Sequence, residues 1–280
     1  MNFKTILVHL DHSVRSPVRA AVAARWARAH GSHLTGLLPT GLSDGVIPAD
    51  AIATGMTDYI AESADYLRRR SEAIAREFRE AVAGTGPMSY EVRMVDGDTV
   101  DAVVRHGRVS DLVVLGQSDD SNKEDTIVRA LAEHVLMDVG RPVMVVPSAG
   151  AFDEIPKGVV VAWDGSREAA LAVQAALPAL RRAARVTLVS LRHPHDKDNS
   201  QRLLASDMLQ YLLRHGVQAR AESQVTEIDI AQALLSRIAD LGADLLVMGG
   251  YGHSRLRERV LDGVTRQVLA QMSVPVLMAH

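Results

Sequence analysis

Two stretches of this chain carry the same sequence pattern. The run Asp111-Leu-Val-Val-Leu-Gly116 returns as Asp244-Leu-Leu-Val-Met-Gly249. Flanking segments return as well, 6–11 as 159–164 and 140–146 as 272–278. A chain that contains one long pattern twice folds as two copies of one structural unit, so the duplication constrains the fold more than any other feature.

Within each copy, short apolar runs alternate with longer segments of helical periodicity. This order is typical of a parallel β-sheet whose strands are joined by helical crossovers. Most of these runs are continuously apolar rather than alternating, which indicates that both faces of each sheet are covered. We predict strands near 5–10, 33–38, 89–95, 111–116 and 142–147, and again near 159–164, 185–191, 218–225, 244–249 and 275–279. The predicted helices are 16–29, 57–83, 99–107 and 127–138, then 166–182, 199–215, 229–241 and 258–271.

The duplication predicts an α/β fold of two tandem, doubly wound, five-stranded domains, 1–149 and 157–280. The segment between them contains glycine, proline and acidic residues and has no periodicity. The first copy also has an insertion before its fourth strand, which we place in 41–55 and the helix that follows. Each copy ends in a Pro-Val strand. We expect these two last strands to pair and to make the halves a pseudo-twofold pair, because an open apolar edge strand promotes aggregation.

Composition limits the classes of function. The chain has 280 residues and a net charge of -3, which gives no indication of a nucleic-acid or anionic-membrane partner. It contains no cysteine, which excludes disulfides and thiol catalysis and fits a reducing compartment. No apolar run approaches the roughly 20 residues that span a bilayer. No signal-peptide pattern opens the chain. We therefore expect a cytoplasmic protein without a membrane partner.

The clearest functional signal is a glycine-rich turn present in only one copy. After Gly249 the chain continues Gly-Tyr-Gly252-His-Ser-Arg255, whereas after Gly116 the first copy continues Gln-Ser-Asp-Asp. Glycines let several backbone N–H groups approach a phosphate at once. The alternative is a tight turn without a ligand. We expect the first-copy site to be degenerate, because its Asp119 and Asp120 repel phosphate.

These residues resemble a tandem universal stress protein, a member of an adenine-nucleotide-binding α/β superfamily, over the whole chain. That family's signature is Gly-x2-Gly-x9-Gly-(Ser/Thr). Gly249 and Gly252 fit it, but Asp262 and Gly263 stand where glycine and Ser/Thr are expected. The resemblance implies that Asp164 contacts adenine and ribose. It also implies that the backbone at Gly249, Gly252, Gly263 and Val264 holds the phosphates.

Further residues extend this candidate site. The side chains of His253 and Arg255 follow the turn, and cationic groups there suit phosphate; the alternative is a solvated basic segment. Thr265 could supply the missing hydroxyl. Asp262 could bind Mg²⁺, face solvent or mark a lost site. Asp164 could instead cap the next helix, where Ser166 competes for that role.

The sequence contains no catalytic motif. No Walker loop, Gly-x-Ser-x-Gly elbow or His-Glu-x-x-His pattern is present. His193-Pro-His195-Asp196 has metal-ligand types but no third partner, so we predict no metal site. We expect a stress sensor or adaptor that binds ATP or AMP, with Mg²⁺ as a candidate ion and slow ATP hydrolysis at most. Its expected partners are that nucleotide and unidentified proteins, and the chain could also form a homodimer. The alternative is a scaffold that binds proteins or an apolar ligand, with both sites inactive.

Overall fold

The computed structural model describes residues 2–40, 57–118, 131–194, 200–251 and 263–280. Its two compact units divide between Gly116 and Gln117. Strands and helices alternate through both units, as the periodicity predicts, and the α/β fold is confirmed. Within the described ranges, no helix combines the length and apolar character needed to span a bilayer.

The first unit, Phe3–Gly116, is a parallel sheet with helical crossovers. Its strands follow the spatial order β3-β2-β1-β4. The elements are β1 (Thr5–His9), α1 (Ser16–His30), β2 (His33–Pro39), α2 (Thr57–Ala83), β3 (Tyr90–Val95), α3 (Thr99–Gly107) and β4 (Leu112–Gly116). The central strands β1 and β4 are almost fully buried, which agrees with their continuous apolar character.

The second unit, which includes Gln117–His280, holds six strands in the order β5-β10-β9-β6-β7-β8. Its elements are α4 (Leu131–Asp138), β5 (Val143–Val146), β6 (Gly158–Ala162), α5 (Arg167–Leu180), β7 (Arg185–Arg192), α6 (Ser200–Arg214), β8 (Ala219–Val225), α7 (Ile230–Asp240), β9 (Leu245–Gly249), α8 (Val264–Gln271) and β10 (Val276–Ala279). The predicted helix 258–271 is described only from Val264, because 258–262 lies outside the described residues.

The predicted pairing of the two Pro-Val strands is confirmed. Strands β5 and β10 are antiparallel, with Met144 opposite Leu277. These two residues occupy equivalent positions in the two copies, so the strand pair has local twofold symmetry. Because β5 pairs with β10, it clusters with the second unit rather than the first. The domain limits 1–149 and 157–280 follow the sequence duplication and stay a prediction.

The first aspartate of each repeated run accepts hydrogen bonds from the start of a neighbouring strand. Asp111 Oδ2 accepts hydrogen bonds from the backbone N–H groups of Lys4 and Thr5, at 2.7 and 3.0 Å. Asp244 Oδ2 accepts them from Lys157 and Gly158, both at 2.9 Å. Both carboxylates satisfy N–H groups where the first strand of their copy begins. The repetition of this residue therefore has a structural reason.

Helix α1 begins without a side-chain cap from its N-cap residue, Arg15. Ser16, the first helical residue, is buried, and its hydroxyl accepts a hydrogen bond from the N–H of Asp11 at 3.3 Å. The helix ends at His30, and Gly31 follows in the left-handed region at φ +65°.

Candidate functional site

The candidate site lies at the carboxyl ends of two neighbouring strands. Strand β6 pairs with β9 and with β7, and the spatial order of the strands reverses between β6 and β9. In open α/β sheets this reversal leaves a crevice beyond the strand ends, where ligands bind. Asp164 follows β6 and Gly249 ends β9, so the fold brings these two predicted site residues to one crevice.

Asp164 does not cap the helix that follows it. The N-cap of α5 is Ser166, whose hydroxyl accepts a hydrogen bond from the N–H of Ala169 at 3.1 Å. Asp164 Oδ1 accepts a hydrogen bond from the N–H of Ser166 at 2.9 Å, which closes an Asx turn. The aspartate is exposed, and its carboxylate has capacity to accept further hydrogen bonds.

The first two glycines of the turn have packing roles that the sequence did not reveal. A Cβ added at Gly249 would lie 2.6 Å from the backbone N of Ala169 and 2.8 Å from the carbonyl carbon of Glu168. One added at Gly250 would lie 2.5 Å from Leu136 Cδ2. Both distances to Gly249 are to backbone atoms of α5, which cannot rotate away. The close approach that requires glycine at these positions is made by the protein itself.

The left-handed backbone in this turn belongs to a tyrosine. Tyr251 has φ +48°, which is uncommon for a non-glycine residue. Its N–H donates to the Thr265 hydroxyl at 3.2 Å, and the N–H of Gly250 donates to the Ala279 carbonyl at 3.0 Å. Thr265 is buried in the first turn of α8. The bond between Tyr251 and Thr265 therefore joins the turn after β9 to the start of α8.

Helix α8 begins beside this turn, because Thr265 in its first turn bonds to Tyr251. Its N-cap is Gly263, which has no side chain to cap the helix. Val264 and Thr265 are the first two helical residues, so their N–H groups have no partner within the helix. Such N–H groups and the helix dipole favour an anion. Of the other predicted residues, Gly252, His253, Arg255 and Asp262 lie outside the described residues.

The equivalent position in the first unit is filled by a side chain. Arg19 is buried in α1, and a Cβ added at Gly116 would overlap its Nη1 atom. Arg19 Nη2 pairs with Asp11 Oδ2 at 2.8 Å, and Arg19 Nε donates to the His9 carbonyl at 2.7 Å. The guanidinium therefore occupies the space beside Gly116 and Asp11. This supports a degenerate first site for a reason other than Asp119 and Asp120, which lie outside the described residues.

This cluster has strongly shifted protonation equilibria. Burial, together with the adjacent Arg19 guanidinium, lowers the pKa of His9 to about 4. Burial alone would raise the pKa of Asp11, but Arg19 and the hydrogen bonds from Ser13 hold it well below its usual range. His9 is therefore neutral and Asp11 charged at neutral pH. The Asp11 carboxylate already bonds to Arg19 and Ser13, whereas the Asp164 carboxylate is exposed.

The described residues contain no group of three or more side chains suited to a metal ion. His193 Nδ1 lies 3.1 Å from the Thr226 carbonyl, which accounts for this nitrogen. His195 and Asp196, the other members of that cluster, are outside the described part of the chain.

Comparison with known proteins shows what the chain and its second half are similar to. The model of the universal stress protein family matches residues 157–280. A universal stress protein of Synechocystis is 24% identical over 237 residues, which cover 84% of this chain and 80% of that protein. The family match covers the whole predicted second domain.

Solved structures of universal stress proteins share the architecture of this chain. A universal stress protein from Archaeoglobus fulgidus has a TM-score of 0.75 at 18% identity, covering 98% of this chain and 95% of that chain. A protein described as a putative universal stress protein from Pseudomonas aeruginosa has a TM-score of 0.57 at 15% identity, covering 98% and 92%. These similarities establish the fold, and with the family match they confirm the resemblance found in the sequence.

Proposed function

We propose that this chain, whose residues 157–280 belong to the universal stress protein family, is a stress-response sensor or adaptor that binds an adenine nucleotide in its second copy. The ligand would be ATP or AMP. The binding residues would be Asp164 at the base and ribose end, with Gly249, Gly252, His253, Arg255, Gly263, Val264 and Thr265 at the phosphate end. No residue is assigned a catalytic role, and any ATP hydrolysis would be slow.

The observation that carries this proposal is the hydrogen bond from the Tyr251 N–H to the Thr265 hydroxyl. It fixes the turn after β9 beside the uncapped start of α8. The two segments that the family pattern associates with phosphate are therefore adjacent. A phosphate placed there would accept hydrogen bonds from the N–H groups of Val264 and Thr265.

The exposed carboxylate of Asp164 supplies the other end of the site. It lies at the end of β6, the strand next to β9. A carboxylate oxygen accepts hydrogen bonds from a ribose hydroxyl or an adenine amine. One oxygen accepts the hydrogen bond from the Ser166 N–H, and the other is available to a ligand.

A second function is favoured by the packing of the turn. Gly249 and Gly250 are required by contacts within the protein, and the N–H groups of Gly250 and Tyr251 already donate to protein oxygens. A turn used in this way can exist without a ligand. In this alternative the protein is a scaffold that binds partner proteins or an apolar ligand.

Titration calorimetry with ATP and AMP tests the proposal. Asp164→Asn keeps an oxygen for the Ser166 N–H but removes the charge. We expect both nucleotides to bind roughly tenfold more weakly, the loss of about one charge-assisted hydrogen bond. Asp207→Ala, at an exposed position on α6, is the matched control. Equal affinity for the wild type and Asp164→Asn would contradict this role for Asp164. An absence of binding by the folded wild type would favour the scaffold function.

The same measurement decides how Asp262 acts. If it faces the phosphates without a metal, Asp262→Gly should tighten ATP binding several-fold to tenfold in the absence of Mg²⁺. One like-charge contact contributes about 1 kcal/mol or somewhat more at an effective dielectric near 20. AMP should respond less, because it carries less charge. If Asp262 binds Mg²⁺, the same change should weaken ATP binding when Mg²⁺ is present.

A further inference from the structure

Gln117, the first residue after β4, is hydrogen-bonded to two separate segments of the second unit, 146–148 and the end of α8. Its N–H donates to the Val146 carbonyl at 2.8 Å. Its side-chain Nε2 donates to the carbonyl oxygens of Leu269 and Ala270, at 2.8 and 3.0 Å. Its Oε1 accepts a hydrogen bond from the N–H of Ser148 at 2.8 Å. Every hydrogen-bonding atom of the side chain is therefore used.

The two carbonyl groups lie in the last turn of α8. The final carbonyls of a helix have no partner within the helix and must be satisfied from outside. The last turn of α8 contains no basic residue that could do this. The amide of Gln117 supplies two N–H groups to this end, from a position more than 150 residues away in the chain. Gln117 thus caps the carboxyl end of α8.

The duplication provides an internal comparison. Gly250 occupies the position equivalent to Gln117, and its N–H donates in the same way, to the Ala279 carbonyl. It has no side chain, and Leu136 of α4 takes the space where one would begin. Leu136 is the residue of α4 that corresponds to Leu269 of α8. The first copy therefore contacts the last helix of the second copy, α8, through hydrogen bonds from Gln117. The second copy contacts the last helix of the first copy, α4, through apolar packing at Gly250.

We propose that Gln117 is a positioning residue for the phosphate end of the candidate site, an inference that rests on the proposed function. Helix α8 has eight residues, about 12 Å, so its two ends move together. Its amino end carries Gly263 and Thr265, and Thr265 bonds to Tyr251. Fixing the carboxyl end through Gln117 therefore fixes the N–H groups that would face phosphate. The degenerate copy contributes this residue to the site of the other copy.

The experiment compares Gln117→Ala and Gln117→Glu with the wild type. Alanine removes the two donors, and glutamate also places a negative charge against the carbonyl end of the helix. Gln232→Ala is the matched control, because Gln232 is exposed on α7. Amide hydrogen exchange of α8 is measured without nucleotide, and ATP and AMP affinities are measured by calorimetry.

We expect exchange in α8 to be roughly tenfold faster in Gln117→Ala and faster still in Gln117→Glu, from the loss of two hydrogen bonds. ATP affinity should fall roughly three- to tenfold, and AMP affinity less, because the phosphate end alone is displaced. Unchanged exchange in both variants would overturn the inference. Equal losses for ATP and AMP would overturn it as well, because general destabilisation acts on both ligands alike.

The outcome separates the inference from the proposed function. If the folded wild type binds neither nucleotide, the proposed function fails and so does the phosphate-positioning role. If the wild type binds ATP but Gln117→Ala binds it equally well despite faster exchange in α8, the proposed function stands and the positioning role is contradicted.

Discussion

Glycine is required for different reasons at equivalent positions of the two copies. Gly249 leaves room for the backbone of α5, whereas Gly116 leaves room for the guanidinium of Arg19. A long side chain can shift, but a helix backbone held by its own cap cannot. The two positions therefore differ in what lies beside the glycine, the α5 backbone in one copy and the ion pair of Arg19 with Asp11 in the other.

Gly249→Ala should destabilise the protein by roughly 1–3 kcal/mol, because the added methyl meets two backbone atoms of α5 that have no room to move. Gly84→Ala is the control, since the nearest atoms to a new Cβ there are 3.6 Å away. We expect Gly84→Ala to change the stability by no more than about 0.5 kcal/mol. Urea denaturation measures both. Equal stability of the two variants would show that β9 and α5 can separate at no cost.

His9 should make the stability depend on pH. Its pKa is about 4 in the folded protein against an ordinary value of 6.5, so between these values the unfolded chain binds more protons. Stability from this group is complete above about pH 6.5 and is lost as the pH falls toward 4, by at most about 1.4 kcal/mol per pH unit. Burial also lowers the pKa of His106, which adds a slope of the same sign.

The test compares urea denaturation of the wild type and His9→Leu between pH 4 and 7. The leucine side chain fills the buried position but cannot bind a proton. We expect a shallower rise of stability with pH in His9→Leu. Parallel curves would mean that His9 binds protons equally in the folded and unfolded states, which would contradict its lowered pKa.

At the level of elements, the repeated aspartates and the helix caps explain why the strands and helices begin where they do. Asp111 and Asp244 satisfy the N–H groups at the start of β1 and β6 from the neighbouring strand segment. Ser166 caps α5, and Asp229 caps α7 by accepting from Ala231 and Gln232. These short polar contacts fix the register of the strands whose ends form the crevice.

Asp244→Ala should lower the stability by roughly 2 kcal/mol, because it leaves the N–H groups of Lys157 and Gly158 without their acceptor. Asp244→Asn keeps one oxygen in place and should lose less than half of that amount. Thermal unfolding of the two variants gives the comparison. If asparagine is as harmful as alanine, the charge rather than the hydrogen-bond geometry is what matters.

At the scale of the whole molecule, the pairing of β5 with β10 places β5 in the second structural unit, although its sequence belongs to the first copy. These strands are fully buried and antiparallel, and equivalent residues face each other across the local twofold axis. A strand pair with this symmetry is self-complementary, which means that two identical copies of either strand could pair in the same way.

A fragment of residues 157–280 should therefore dimerise. Without β5 it exposes the edge of β10, an apolar strand that can pair with a second β10 and place Leu277 opposite Leu277. Light scattering after size-exclusion chromatography measures the mass, with the full chain as the reference. Leu277→Lys in the fragment is the control, since two facing lysines would repel each other. A folded fragment that stays monomeric at high concentration would contradict the expected pairing.

The sequence by itself determined the α/β fold, the duplication, most element boundaries and the pairing of the two Pro-Val strands. These depend on local periodicity and on repeated residues, which are visible along the chain. It also predicted that Asp164 and Gly249 lie at one crevice, because the strand ends of a parallel sheet meet at one edge, and their role in binding stays a prediction.

Only the tertiary structure decided what those residues touch. It placed Ser166 rather than Asp164 at the helix cap, Arg19 beside Gly116, and Gln117 at the end of α8. Each of these contacts depends on side-chain direction and on distances between segments that are remote in the chain. Residue type and spacing do not contain that information, because one pattern of strands and helices is compatible with many arrangements of the side chains above the strand ends.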